Sequence, residues 1–368
     1  MKILHICAGW QQWNGAANIA RMLMDEQRRE GHEVSFATWA SVAKLRAADE
    51  VWIHCGWLPC LWWAAIWGRN VHWMPEACYD PVRLHFHGWK KWLVGPIERW
   101  CLRRCDRIVA TCEAEKGWIE KYLGKRCPEI EVTDIKRFFD FSRVERVEER
   151  GVGCRVGRVE GLTQRRRGAY PPGEACPRSG CPSRGEYAED DGKLPSADGG
   201  LHLLYLGRRH PLKGVEYLEK AVAELNSNPV NPVNPVQNSS TPLTTSVLSA
   251  SPRLCVRFVS NAFGEEKERV WDWCDVLVLP TLSDNFGLVI AEALERGKRV
   301  ITTDGAPAWG ENLSRVERVY GGMWSGYGGR LIYLKGYRDG TPEDRVRLLK
   351  SAIENLLSRA SLTPPAAK

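Results

Sequence analysis

The sequence predicts an α/β protein built from two doubly wound parallel-sheet domains facing across a cleft. Three observations carry this. Short apolar runs rich in β-branched residues recur along the chain and alternate with segments of helical periodicity. The alternation stops near residue 145 and restarts at residue 201. At 368 residues the chain has room for two ordinary domains.

In the first half, KILHI reads as a strand and residues 16–29 as a helix with apolar positions at helical spacing. HEVSFAT, VWIH and NVHWM follow as strands. A long helix is expected over 89–104, then the strand DRIVAT and the helix AEKGWIEKYL. The second half repeats the pattern. LHLLYLG is a strand, 213–225 a helix, LCVRFVS a strand, 265–273 a helix and VLVLP a strand. A helix from Gly287 and the strand RVITT complete it. The divisions are 1–145, an acceptor-side domain; 146–200, a linker or insertion rich in Gly, Pro and Arg; and 201–368, a nucleotide-binding domain. Within the last, residues 226–252 contain NPVNPVNPV and a Ser/Thr-rich run, read as a disordered surface loop.

A net charge of +7 suits polyanionic partners. Nucleic acid is disfavoured, because no recognised binding motif accompanies the charge. The thirteen cysteines follow no signal-peptide pattern and read as reduced thiols of a cytoplasmic protein. Cys101 and Cys105 share an expected helix face. Cys154, Cys176 and Cys181 lack the second CxxC pair of a zinc site, and no metal is expected. The RRR run at 165–167 reads as a solvated charge cluster. Seventeen tryptophans are many for this length. The run VWIHCGWLPCLWWAAIWG is long enough to raise a membrane span, but Gly56 and Pro59 favour strand, turn and short buried helix. In HFHGWKKWLVGPIERWCLRR, Trp mixed with Lys and Arg fits either a membrane-surface contact or buried Trp beneath a basic face.

Three places bear chemistry. Gly15 lies where the first strand turns into the first helix, where backbone approaches a ligand and the helix end favours an anion. The NAD fingerprint GxGxxG is missing from this turn. In YLGRRHPLKG, Arg208 and Lys213 follow a strand's carboxyl end beside a helix start, which suits a diphosphate. In SDNFGLVIAEAL, Asp284 and Glu292 bracket a turn in which the N–H groups of Phe286, Gly287 and Leu288 are free donors at a helix start. Such carboxylates suit sugar hydroxyls, one on a hexose and one on a ribose. The alternative is an N-cap Asp and a solvent-facing Glu.

SDNFGLVIAEAL resembles the E-x7-E signature of the retaining glycosyltransferases of family four, and GRRHPLKG resembles their diphosphate-binding segment. VWIHCGW and ITTDGAPAW are similar to segments of members that build lipopolysaccharide or capsule. The resemblance implies the GT-B fold and retaining, metal-independent transfer of a hexose from a UDP- or GDP-linked donor to a glycan or lipid-linked acceptor. It needs no other cofactor and allows peripheral membrane contact at the inner face. It implies that Arg208 and Lys213 hold the diphosphate, Asp284 the donor sugar and Glu292 the ribose. Gly15, Asn285, Phe286, Gly287 and Leu288 would line the donor. The first acid is Asp where relatives carry Glu. PEACYDP stands where they carry a segment like PHGMLEP, which makes Glu76 and Asp80 acceptor-side candidates. Two other readings remain: a nucleotide-sugar binder that has lost catalysis, and a sugar-nucleotide epimerase of the same fold, which the acid spacing disfavours.

Overall fold

The computed structural model describes residues 1–7, 15–55, 59–124, 127–141, 200–227, 246–251, 254–260, 262–311, 313, 318–319 and 323–361. Cys154, Cys176, Cys181, Arg165–Arg167 and the NPV repeat lie outside them.

The N-terminal domain is a six-stranded parallel sheet in the order β2-β1-β3-β4-β5-β6. Its strands are β1 (Lys2–Cys7), β2 (Glu33–Ala37), β3 (Glu50–His54), β4 (Val71–Met74), β5 (Arg107–Ala110) and β6 (Ile130–Val132). Connecting helices are α1 (Gly15–Arg29), α2 (Val42–Ala47), α3 (Pro59–Trp67), α4 (Pro81–Leu102) and α5 (Glu113–Leu123). The interiors of β1, β3, β4 and β5 are largely apolar and buried because helices cover both sheet faces, whereas the edge strand β2 (EVSFA) is mixed. The VWIH region is the expected strand and short helix, and no helix among the described residues is long and apolar enough to cross a membrane.

The C-terminal sheet has eight strands in the order β12-β13-β14-β11-β10-β7-β9-β8. Its parallel centre comprises β7 (Leu201–Leu206), β9 (Leu254–Val259), β10 (Val276–Leu279), β11 (Arg299–Thr303) and β14 (Leu331–Leu334). Antiparallel strands extend both edges: β8 (Ser246–Ser251), β12 (Arg318–Val319) and β13 (Met323–Gly326). The helices are α6 (Val215–Ser227), α7 (Gly264–Trp273), α8 (Leu288–Glu295), α9 (Pro307–Gly310) and α10 (Pro342–Ser361).

Four expectations need correction. The 226–252 loop contains β8, whose Ser-rich composition hides an edge strand. Helix α4 begins eight residues before the expected start at 89, because Asp80 caps it and Pro81 fits the first turn, where no N–H is needed. It ends at Leu102, so Cys105 lies beyond the helix, although its Sγ still meets the Cys101 carbonyl at 3.5 Å. Lys213 does not open α6. It closes a 3-10 turn, and Gly214 in the left-handed region (φ 60°) separates it from the helix.

Each sheet reverses strand direction of growth beside its first strand, between β1 and β3 and between β7 and β10. Crevices form at the carboxyl ends of such strands. The domains are held together by more than the covalent crossing. Phe139 and Phe141, which end the N-terminal domain, pack on Phe286 and Trp309 of the other. Glu311 accepts the Glu113 and Ala114 N–H groups at 3.0 and 2.7 Å, capping α5 from across the interface.

The loop bearing Lys213 is stitched to the end of β10 through one carbonyl. Leu212 O accepts from Leu282 N (2.8 Å), Thr281 Oγ1 (3.0 Å) and Ser283 N (3.3 Å). A Cβ on Gly214 would collide with the Pro280 carbonyl oxygen. Gly214→Ala is therefore expected to lower stability by about 2 to 4 kcal/mol, read from urea unfolding.

Candidate functional site

A cleft of about 860 Å³ opens between the domains. Its C-terminal wall comes from the ends of β7 and β10, with Gly207, Arg208, Lys213, Asp284 and the α8 start. Its N-terminal wall comes from the α1 start at Gly15, the end of β3 at Cys55 and the end of β4 at Glu76. The structure thus brings together ten of the eleven residues singled out in the sequence: Gly15, Glu76, Arg208, Lys213, Asp284, Asn285, Phe286, Gly287, Leu288 and Glu292. Asp80 is the exception.

Asp80 is fully buried. One carboxylate oxygen accepts the Ser283 hydroxyl at 2.6 Å; the other accepts the Val82 N–H at 2.8 Å and pairs with Arg338. Its oxygens cap α4 and tie the two domains together, so it has none to offer a ligand. Asn285 is similarly engaged: its amide reaches Glu115 at 2.6 Å and Thr111, and Cys112 donates to its carbonyl at 3.3 Å. The Phe286 ring is buried against Trp309, whose indole N–H donates to the Phe286 carbonyl.

Asp284 and Lys213 form an ion pair on the cleft wall. Burial drives the Asp284 carboxyl up, but Lys213, Arg83 and the Gly287 N–H outweigh it, leaving the group below its ordinary value. Burial also lowers Lys213, against the pull of Asp284. Gly287, at φ 61°, makes the turn that starts α8, and no side chain caps that helix. A Cβ on Gly15 would reach Leu288 at 3.9 Å, so the starts of α1 and α8 approach each other across the cleft. Arg208 is exposed and makes no ion pair among the described residues.

Three contributors escaped the sequence reading. Lys267 of α7 pairs with Glu292 at 2.6 Å. Arg83, in the first turn of α4, lines the cleft and donates to Ser283 Oγ at 3.1 Å. Its charge acts on Glu76, Lys213 and Asp284 together. The third is a buried chain behind Glu76. Gln27 Oε1 lies 2.7 Å from His5 Nε2, His5 Nδ1 lies 3.0 Å from His54 Nε2, and His54 Nδ1 lies 3.2 Å from Glu76 Oε1.

With the Gln27 amide oxygen turned toward His5, hydrogen bonding sets one proton arrangement for that chain; with the amide turned over, every donor and acceptor reverses. An amide oxygen only accepts, so His5 donates through Nε2 and accepts at Nδ1. His54 then donates through Nε2, and its Nδ1 must accept, which requires a proton on Glu76. Burial agrees at each station. It lowers both imidazoles to about 3 and, with help from the Glu115 charge, raises Glu76 well above its ordinary value. Burial and the first arrangement both favour the protonated form of Glu76 at the cleft. Cys55, Glu76 and Ala77 all have positive φ (66°, 55° and 63°), which stores strain at this end of β3 and β4.

Residues 200–317 match the family described as Glycosyl transferases group 1. Sucrose-phosphate synthase from Thermosynechococcus elongatus superposes with a TM-score of 0.56 at 14% identity, over 98% of this chain and 90% of that one. HepE of Anabaena, in complex with UDP, gives 0.53 at 12%, over 98% and 92%. The α,α-trehalose 6-phosphate synthase of Burkholderia multivorans gives 0.52 at 11%, over 99% and 91%. The fold is GT-B. No protein of curated function matches the sequence. The GT-B likeness spans both domains, whereas the family match covers residues 200–317 of the C-terminal one, a stretch that holds Arg208, Lys213, Asp284 and Glu292.

A neutral Glu76 has a measurable signature. An acid whose folded pKa is raised loses its stabilising contribution as pH rises above the unfolded value of 4.5. Glu76→Gln keeps the donor to His54 and removes that loss. Relative to wild type, the variant should gain up to about 1.4 kcal/mol per pH unit above pH 4.5 until Glu76 ionises, in urea unfolding series across pH.

Proposed function

We propose that this chain is a glycosyltransferase that moves a hexose from a nucleotide-linked donor to a glycan or lipid-linked acceptor, retaining the anomeric configuration. One observation carries the reading. Two cations, Arg208 and Lys213, and the starts of α1 and α8 converge on one interdomain cleft beside the carboxylates Asp284 and Glu292. A diphosphate suits the cations and the helix starts. Hydroxyls suit the carboxylates.

In this reading the nucleotide lies along the C-terminal wall, its ribose at Glu292 and its diphosphate at Arg208 and Lys213. Asp284 takes donor-sugar hydroxyls and holds Lys213 in place. The bond from the anomeric carbon to the diphosphate oxygen breaks, a bond to the acceptor oxygen forms on the same face, and the acceptor's hydroxyl proton passes to the departing diphosphate oxygen. Negative charge grows on the leaving diphosphate. Fixed cations and backbone N–H groups aimed there lower the barrier, at roughly 3 kcal/mol for a well-placed donor. These groups make the transfer independent of a metal. The acceptor enters from the side of Glu76, whose O–H is directed to His54 and whose second oxygen can accept from an acceptor hydroxyl. A uridine nucleotide is the first candidate, since HepE is described with UDP and with UDP-glucose. A role in polysaccharide or lipopolysaccharide synthesis, at the cytoplasmic face of a membrane, goes with a lipid-linked acceptor.

Thermal unfolding in UDP, GDP and ADP tests the donor site. A nucleotide at about 100 times its dissociation constant should add roughly 2.7 kcal/mol. Arg208→Ala and Glu292→Ala should each weaken that shift without changing the ligand-free transition appreciably in the case of exposed Arg208. No shift with any of the three would overturn the reading. A shift without nucleotide release from UDP-sugars and acceptors would leave a binding protein.

A further inference from the structure

Helix α4 has two apolar faces. One packs on the domain through Cys101 and Leu102. The other carries Phe86, Trp89, Leu93, Ile97 and Trp100, all exposed. Their steps of three and four residues place them on one stripe, about 21 Å long at 1.5 Å per residue. Trp92 flanks the stripe; it is 80% exposed, and Trp89 is 68% exposed. The neighbouring helix α3, which contains no charged residue, packs beside α4 and exposes Trp63. Aromatic surface of this extent stays in water only if something else covers it.

The charges around the stripe identify what does. The only acid in α4 is Glu98, and it is buried, accepting the Tyr122 hydroxyl at 2.9 Å. Arg99 lies in the last turn, and Arg103 and Arg104 follow directly; the Arg104 guanidinium sits 5.0 Å over the Trp100 ring. Trp rings flanked by cations, with no exposed acid, match the headgroup level of a bilayer containing anionic lipid. A second copy of the chain fits less well, since two such stripes face to face would bring like charges together.

We propose that α4 is a peripheral membrane-docking helix that inserts the Phe86–Trp100 stripe into the headgroup region of an anionic bilayer. The N-terminal turn of α4 carries Arg83, which lines the cleft, so docking along the helix sets the cleft beside the membrane surface. The inference rests on the exposure and charge of α4, and it stands or falls apart from the transferase reading.

The test uses the full chain and co-sedimentation with two vesicle preparations, phosphatidylcholine alone and phosphatidylcholine with phosphatidylglycerol. The wild type should pellet with the anionic vesicles, much less with the neutral ones, with a blue shift of Trp fluorescence. Trp89→Ser combined with Trp92→Ser should weaken binding about tenfold or more. Both side chains are exposed, and an unchanged circular-dichroism spectrum and melting transition confirm that the variant folds. The proposal is overturned if the wild type stays in the supernatant with both preparations, or if the variant binds as well as wild type. A concentration-dependent dimer abolished by the same substitutions, with no vesicle binding, would assign the stripe to a second copy instead.

Discussion

The turn that follows β10, residues 281–287, is the constraint on which the rest of the structure depends. Successive side chains in it point to different partners. Ser283 donates to Asp80 of the N-terminal domain, Asp284 pairs with Lys213 on the cleft wall, and Asn285 donates to Glu115 across the interface. Its backbone is held as firmly: Asp284 N donates to Gly305 O at 2.7 Å, and Leu282 N to Leu212 O. Because these polar groups are buried, each lost partner would leave an unsatisfied atom costing about 1 to 3 kcal/mol. The same seven residues thus hold the domains in register and build the cleft.

Ion pairs match most of the charges lining the cleft. Lys213 is held by Asp284 and Glu292 by Lys267, and Arg83 lies between the two walls. Carboxylates paired with cations in a partly buried site avoid the desolvation that isolated charges would suffer. In the proposed donor site a diphosphate would meet the exposed Arg208, which makes no ion pair among the described residues, and would share Lys213 with Asp284. Glu76 follows a different rule. With its proton directed to the imidazole chain, it would present an acceptor oxygen to the cleft and no charge.

Most of this was legible in the sequence where the signal is local. LHLLYL and VLVL read as buried strands because helices cover both faces of a parallel sheet, so the runs are apolar apart from His202. The cleft positions at Arg208, Lys213 and Asp284 followed from their places after strand ends. What stayed hidden was either compositional or non-local. The strand β8 is built from Ser, Val, Leu and Ala, and an edge strand needs no apolar alternation. Asp80 did carry a readable signal, an Asp directly before a Pro, which marks an N-cap and a first helical turn. Reading it would have started α4 at Pro81 and placed Arg83 beside the cleft. Lys267, His5, His54 and Gln27 gave no such sign, because their partners lie on other elements far along the chain.

The central claim is that the convergence of Arg208, Lys213 and the starts of α1 and α8 is a diphosphate site. Crystals grown with UDP test it most directly. The account predicts density for the two phosphates within hydrogen-bond distance of Arg208 and Lys213, between Gly15 and Gly287, with the ribose at Glu292. A nucleotide bound elsewhere on the chain, with this cleft left to solvent at saturating concentration, would contradict it.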